Sequence, residues 1–204
     1  MRPIYRVTGF LPLLLSVVGF STSAAAAERI YWTDAVTRTI QRAELDGSGV
    51  TTLIATGTDP AGIALDLASG KIYWAEIGDG KIRRANLDGS GAQDIVVGIT
   101  PVAVAIDAQG GKIYWTDFSV TGLIHRSNLD GSAIEPLIPF QGDREGLALD
   151  LRARKMYWTE RALGRVERAN VDGQSGYETL VTGLADPRSI AVVSEASSAR
   201  RRLF

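Results

Sequence analysis

From residue 28 onward, short apolar or aromatic stretches alternate with clusters of glycine, aspartate and serine, and none has a helical period. In one representative unit the apolar stretches are Gly62–Leu65, Lys71–Ala75, Lys81–Leu87 and Asp94–Val97. Aromatic and β-branched residues favour a pleated surface, and the pair Asp88-Gly89 suits a tight turn with positive φ. The pattern therefore predicts four short antiparallel strands in about 42 residues, the size of one propeller blade.

This unit is repeated four times along the chain. One tetrapeptide recurs about every 42 residues, as Tyr31-Trp32-Thr33-Asp34, Tyr73-Trp74-Ala75-Glu76, Tyr114-Trp115-Thr116-Asp117 and Tyr157-Trp158-Thr159-Glu160. An apolar motif recurs with it, as Pro60–Asp66, Pro101–Asp107, Arg144–Asp150 and Pro187–Val193. The sequence therefore predicts an all-β fold, a β-propeller built from four-stranded antiparallel blades.

The four tetrapeptides resemble the YWTD repeat, which is the class B repeat of the low-density lipoprotein receptor family. The resemblance covers nearly all of residues 29–193, and it implies a six-bladed propeller, often followed by a cysteine-rich module. This chain has four copies and no cysteine, so it cannot form that module. It also departs from the motif at Ala75, Glu76 and Glu160.

The number of blades is left open by the sequence. The repeats begin at a second strand, near Arg29, and close with an isolated first-strand motif, Arg188–Val193. These two segments could complete one blade and close a four-bladed ring, within the known range of propellers. The alternatives are an arc that associates with another copy, or part of a six-bladed propeller. Because Tyr31-Trp32 is typical of a core, closure or self-association is favoured over an exposed arc.

The two ends of the chain differ in composition from the repeats. Residues 1–27 combine Arg2 and Arg6 with an apolar stretch and a run of alanines, which is typical of a signal peptide. The apolar stretch is shorter than the roughly 20 residues that span a membrane, so an uncleaved membrane anchor is the weaker alternative. We therefore expect a secreted or periplasmic propeller over residues 28–193 without a membrane span, and a disordered basic tail over 194–204.

Residues that recur in every repeat are interpreted as structural, since each blade must solve the same packing problem. They are Tyr31, Trp32, Asp34, Tyr73, Trp74, Glu76, Tyr114, Trp115, Asp117, Tyr157, Trp158 and Glu160. The recurring arginines Arg42, Arg84, Arg126 and Arg168 are expected to pair with the acids of the tetrapeptides. The single histidine, His125, is expected on a solvent face, which argues against a pH switch.

Residues that break the repeat are the candidates for a binding site, because loops on a rigid scaffold commonly carry function. Those predicted near one mouth of the central channel are Asp59, Phe118, Phe140, Arg144, Glu145, Asp186 and Arg188. Ordinary solvated loops are the alternative interpretation. The expected partner is an extracellular protein or a glycan.

Composition narrows the possible functions. The 22 basic and 23 acidic residues leave a net charge of −1, which argues against a nucleic-acid partner. No cysteine and one histidine disfavour thiolate or histidine metal sites, so we predict a non-enzymatic binding or scaffold module without cofactor or metal. The alternative is a propeller enzyme of the metal-dependent lactonase or lyase type, which needs several acids or amides converging on the channel.

Overall fold

The computed structural model describes residues 28–118, 122–138 and 143–193, and every regular element in them is a β-strand. Residues 1–27 and 194–204, predicted as signal peptide and tail, lie outside the described residues. In chain order the strands are β1 (Arg29–Asp34), β2 (Thr39–Glu44), β3 (Thr51–Ala55), β4 (Pro60–Asp66), β5 (Lys71–Glu76), β6 (Lys81–Asn86), β7 (Gln93–Val97), β8 (Pro101–Asp107), β9 (Lys112–Asp117), β10 (Ile124–Asn128), β11 (Glu135–Ile138), β12 (Arg144–Asp150), β13 (Lys155–Glu160), β14 (Arg165–Asn170) and β15 (Glu178–Val181).

The strands form four antiparallel sheets, each made of strands consecutive in the chain. Blade 1 is β1–β3, blade 2 is β4–β7, blade 3 is β8–β11 and blade 4 is β12–β15. The tetrapeptides occupy equivalent places, on β1, β5, β9 and β13. The fold-class prediction is therefore confirmed as an all-β propeller. No helix in the described part of the chain is long and apolar enough to cross a membrane.

The aromatic residues of the tetrapeptides pack between blades. Trp74, Trp115 and Trp158 are fully buried, as predicted. Trp32, interpreted from the sequence as a structural residue like the other three tryptophans, is only half-buried, so the four positions are not equivalent. The physical reason is that no described blade precedes β1 to cover its face.

The recurring arginines connect successive blades. Arg42 Nη1 donates to the carbonyl oxygen of Leu87 at 3.2 Å, and Arg84 Nη1 donates to that of Leu129 at 3.1 Å. Arg126 Nη1 repeats the bond to Val171 at 3.2 Å. The predicted pairing with the tetrapeptide acids is therefore wrong. Arg42, Arg84 and Arg126 instead reach a backbone carbonyl in the following blade and so hold neighbouring blades together, whereas Arg168 bonds Glu178 within blade 4.

Blade 1 has three strands, because its innermost strand is absent from the described residues before β1. Residues 188–193, which carry the innermost-strand motif, form no strand and no ladder with β1. Closure of a four-bladed ring, which the sequence favoured together with self-association over an exposed arc, is therefore not made by a strand ladder within the described residues.

Each complete innermost strand carries the same irregularity. The pairing of β4 with β5 skips two residues between Pro60 and Ile63, and β8 and β12 repeat the skip. Such bulges redirect side chains and are common near functional sites. In blade 4 the bulge contains Glu145, and it lines a central cavity of about 460 Å³ together with Thr33 and Arg188.

Candidate binding site at the channel mouth

The loops at the mouth are fixed by one repeated backbone bond. The residue after each complete blade's tetrapeptide donates its N–H to the residue before that blade's innermost strand. The bonds are Ile77 to Asp59 at 3.1 Å, Phe118 to Thr100 at 2.7 Å and Arg161 to Asp143 at 2.8 Å. The backbone at these positions is therefore held in the same way in each complete blade, although the side chain differs from blade to blade.

The Arg161 side chain contacts both acidic and aromatic residues at this face. Its Nε lies 2.7 Å from Asp143 Oδ2 and 3.4 Å from Glu145 Oε1. Its guanidinium carbon lies 5.9 Å from the ring centre of Phe118, within cation–π range. We name Phe118, Asp143, Glu145 and Arg161 the Arg161 cluster. The Phe118 side is open to solvent, since that residue is 47% exposed.

The electrostatics of the cluster keep Arg161 charged. The hydrogen bond to Asp143 raises the pKa of Arg161, and the charges of Asp143, Glu145 and Asp186 act in the same direction. Both carboxylates are largely covered, with side-chain exposures of 20% for Asp143 and 16% for Glu145, beside the exposed ring of Phe118.

The other predicted mouth residues are distributed more widely. Asp186 pairs with Arg188 at 3.0 Å on the exposed rim. Asp59 instead pairs with Arg38 of blade 1 at 3.5 Å, and that pair is also exposed. Phe140 lies outside the described residues.

Arg144 was predicted to lie at the channel mouth, and this prediction is wrong. It is 3% exposed, so it cannot serve as a surface contact. Its guanidinium carbon lies 5.9 Å from the ring centre of Trp158, its Nη1 donates to the carbonyl oxygen of Gly122, and its Nε lies 3.9 Å from Glu160 Oε2. The side chain turns into blade 4, where it borders a cavity of about 120 Å³. Burial lowers the pKa of Arg144 and raises that of Glu160.

Arg161 was missed by the sequence interpretation, although the signal is present. It follows a tetrapeptide, at the position held by Ala35, Ile77 and Phe118 in the other repeats. That position differs in all four copies, which is the criterion that selected Phe118. The position of His125 was also predicted wrongly, because its ring is half-buried and stacks on Trp115 at 5.4 Å. Burial lowers the pKa of His125, although Asp117 opposes the shift.

Within residues 28–118, 122–138 and 143–193, no group of three or more histidines, cysteines, aspartates or glutamates is arranged to hold a metal ion. The groups that the described site offers are charges, hydrogen bonds and the exposed ring of Phe118.

Comparison with known proteins identifies the repeats. The family model of the low-density lipoprotein receptor repeat class B matches residues 28–67 and 154–192. A low-density lipoprotein receptor-related protein 5-like protein of Homo sapiens is 35% identical over 148 residues, which cover 70% of this chain and 58% of that protein. The vitellogenin receptor Yl of Drosophila melanogaster is 30% identical over 82 residues, covering 39% of this chain and 4% of the receptor. The chain thus spans less than two thirds of either relative.

Solved structures show the same fold. A chain in a crystal structure of a nidogen–laminin complex superposes with a TM-score of 0.77 at 28% identity, covering 82% of this chain and 65% of that one. A gluconolactonase of Xanthomonas campestris gives a TM-score of 0.69 at 19% identity, covering 82% and 64% of the two chains. The virginiamycin B lyase of Staphylococcus aureus gives 0.66 at 18% identity, covering 82% and 57%. At these lower identities the two enzymes share the fold alone. The chain thus contains repeats that match the low-density lipoprotein receptor repeat class B, and its fold is that of a β-propeller.

Proposed function

We propose that this chain is a secreted, non-enzymatic propeller that binds an extracellular protein at the channel mouth through the Arg161 cluster. The observation that carries the proposal is the exposed Phe118 ring held against Arg161, beside the carboxylates of Asp143 and Glu145. A glycan partner stays the alternative ligand class, because aromatic rings and carboxylates also bind sugars.

The cluster has the properties of an interface hot spot. Aromatic residues and arginine are enriched at hot spots, and side chains that are already ordered lose less entropy on binding. Phe118 and Arg161 each donate the backbone N–H bond that fixes their loop, and the Arg161 side chain is further held by two acids. A partner would therefore meet a preorganised surface.

The relatives support a binding role. Two of them are receptors or receptor-related proteins by name, and a third similar chain was crystallised in a nidogen–laminin complex. We further propose that residues 1–27 direct export, since their composition is that of a signal peptide. These residues lie outside the described ones, so the proposal rests on sequence.

A paired-variant capture experiment tests this function. Purified chain carrying Phe118→Ser and Arg161→Glu is compared with wild type as bait for the extracellular fraction of the source organism. The matched control carries Leu67→Ser and Arg154→Glu, which replace an exposed leucine and an exposed arginine. These control residues lie in the β4–β5 and β12–β13 turns, at the opposite ends of the blades from the mouth.

We expect wild type and control to recover the same protein, and the mouth variant to lose it by about tenfold or more. The unfolding midpoint of each bait is measured in parallel, because Arg161→Glu and Arg154→Glu each remove an ion pair, and the capture is read at a temperature at which all three baits are folded. Equal recovery by the mouth variant and wild type would exclude this face as the site. Export is tested separately, by N-terminal sequencing of the protein from the medium.

A further inference from the structure

A cavity of about 450 Å³ lies between blades 2 and 3. It opens at the β4–β5 and β8–β9 turns, which are at the opposite ends of the blades from the mouth. Its blade 2 wall includes Asp66, Ser69 and Lys71, and its blade 3 wall includes Gln109 and Leu129. We name these five residues the Asp66 groove.

The β8–β9 turn of blade 3 has small side chains beside this groove. Blade 4 has Arg154 where blade 3 has Gly111, and Leu151 where blade 3 has Ala108. A Cβ added to Gly111 would meet nothing within 4 Å, and the φ of +65° at this glycine is close to the φ of 56° at Arg154. The two turns therefore share a backbone conformation, and blade 3 lacks only the arginine side chain.

The equivalent place between blades 3 and 4 is occupied by a guanidinium. Arg154 Nη1 lies 3.6 Å from Oδ2 of Asp107, in the preceding blade. Asp107 ends β8 as Asp66 ends β4, and each of the two aspartates is 4% exposed. An arginine can therefore approach this buried carboxylate from the side of the following blade.

Both grooves contain the same two neighbouring cations, and each cation has a hydrogen-bond partner of its own. The bonds are Lys71 to Asn86 and Arg84 to Leu129 in the open groove, and Lys112 to Asn128 and Arg126 to Val171 in the filled one. The presence of these cations does not exclude Arg154 from the filled groove, so it does not exclude a further guanidinium from the open one.

In the open groove, Asp66 carries a charge without an ion pair. It accepts from the N–H groups of Ala68 and Ser69, both at 3.1 Å, and from the Ser69 hydroxyl. No ion pair to Asp66 is formed within the part of the chain that the structure describes, whereas Asp107 has Arg154. An ionised carboxylate can accept about four hydrogen bonds, so Asp66 Oδ2 has one acceptor position left. The hydrogen bond from Ser69 lowers the pKa of Asp66, which keeps the carboxylate charged at neutral pH.

We propose that the Asp66 groove binds an arginine side chain of a partner protein, with its guanidinium against Asp66 as that of Arg154 lies against Asp107. A guanidinium presents several N–H donors in a planar fork, and the amide oxygen of Gln109 on the other wall is a second acceptor for them. An anion is disfavoured, because it would meet the charge of Asp66 while the nearby cations are already bonded. The proposal concerns the face opposite the mouth and does not rest on the function proposed there.

Titration of the nitrogen-15-labelled chain, followed by its amide NMR spectrum, tests the groove. The probe is the capped tripeptide acetyl-Gly-Arg-Gly-amide. The matched control probe has citrulline in place of arginine, which keeps the shape of the side chain and removes its charge. We expect saturable shifts at the amides of Ser69, Gln109 and Leu129, with a dissociation constant of about 1–10 mM for the arginine probe and binding about tenfold weaker or less for the citrulline probe.

A self-blocking variant provides the second measurement. Gly111→Arg copies the arginine of the next groove, so its own guanidinium should take Asp66 and weaken binding of the arginine probe about tenfold or more. The matched control is Gly98→Arg, which adds the same charge at a glycine that also has positive φ and open space, but beyond β7 at the mouth end of blade 2. This control should bind the probe as wild type does.

Asp66→Asn keeps an oxygen for the N–H groups of the turn and removes the charge, so it should also weaken binding about tenfold. The amide spectrum of each variant shows whether it is folded, and Asp66→Asn decides the test if Gly111→Arg does not fold. Three results would overturn the proposal: no saturable shift at the groove with about 10 mM arginine probe, equal binding of the two probes, or undiminished binding to a folded Gly111→Arg or Asp66→Asn variant.

Discussion

Blades 2 and 4 have the same strands and the same pairing register around their tryptophans, but the charges around those tryptophans are rearranged. In blade 2, buried Glu76 accepts from Trp74 Nε1 at 2.8 Å and from Arg83 Nη1 at 3.4 Å. The guanidinium carbon of Arg83 lies 5.6 Å from the ring centre of Trp74. A carboxylate and a cation are therefore both held on one indole.

In blade 4 the same two groups come from different strands. Position 83 corresponds to Glu167, whose Oε2 accepts from Trp158 Nε1 at 2.9 Å. The cation over the ring is Arg144, which stands where blade 2 has Pro60. Glu160 is then free to accept from the Asp143 N–H at 2.6 Å. In these two blades the indole keeps a carboxylate and a cation while the strand that supplies each one changes. Blade 3 lacks this arrangement, because Trp115 Nε1 has no hydrogen-bond partner among the described residues and His125 stacks on the ring.

The largest expected effect comes from removing the indole itself. Trp74→Ala and Trp158→Ala should each lower the free energy of unfolding by about 3–5 kcal/mol, the usual range for a buried aromatic residue. Trp32→Ala should cost clearly less when single copies are measured, because that side chain is half-buried. Urea denaturation of the three variants checks this order. An equally costly Trp32→Ala in a monomer would contradict the packing described for blade 1.

The next effect tests whether the two charge arrangements are interchangeable. Arg144→Ala should cost about 3–5 kcal/mol, because it leaves the buried Glu160 without its cation. The double variant Arg144→Pro/Glu167→Arg installs the blade 2 residues and should recover part of that loss. Urea denaturation of both variants and of Glu167→Arg alone measures the coupling. A double variant less stable than either single change would show that blade 4 cannot adopt the blade 2 arrangement.

A smaller difference is expected between the arginines that face the next blade. Arg84→Met removes the bond to Leu129 and should cost about 1 kcal/mol, since a partly exposed charged hydrogen bond contributes modestly. Arg168→Met should cost less in the monomer, because no following blade is described for it to bond. The pair of variants is compared by thermal unfolding at low protein concentration. Equal losses would mean that Arg168 stabilises the chain through Glu178 alone.

The smallest effect concerns pH. Burial raises the pKa of Glu160, so the folded state holds this proton at pH values where the unfolded state has released it. Glu160 therefore contributes stability at low pH that is lost as the pH rises through its raised folded pKa. Glu160→Gln removes this dependence, so the stability of wild type relative to the variant should fall across that window. Unfolding midpoints measured from pH 4 upward check the sign, and a relative rise would refute it.

Much of the fold could be predicted because each blade repeats one local solution. The spacing of the Tyr-Trp pairs predicted where the strands lie. The Asp-Gly pairs predicted turns, and in one of them Asp46 accepts a hydrogen bond from the Ser48 N–H at 2.9 Å. The site was only partly predictable. Glu145 and Phe118 lie at the mouth, as their repeat positions suggested, whereas Arg144 is buried with its guanidinium over Trp158. That placement could not be read from the repeat, because Trp158 and Glu167, which line the same small cavity, are distant in sequence and come near Arg144 only after the sheet has formed.

The arginine bonds between blades have a consequence for how the molecule opens. Because Arg42, Arg84 and Arg126 each donate one blade ahead, no inner interface can separate without breaking a bond in the neighbouring unit. Arrays of this kind behave as nearest-neighbour systems, in which the end units have one stabilising neighbour and the middle units have two. In a single chain, amide protons of β2 and β14 should therefore exchange with solvent earlier than those of β6 and β10, so that loss of structure spreads inward from both ends.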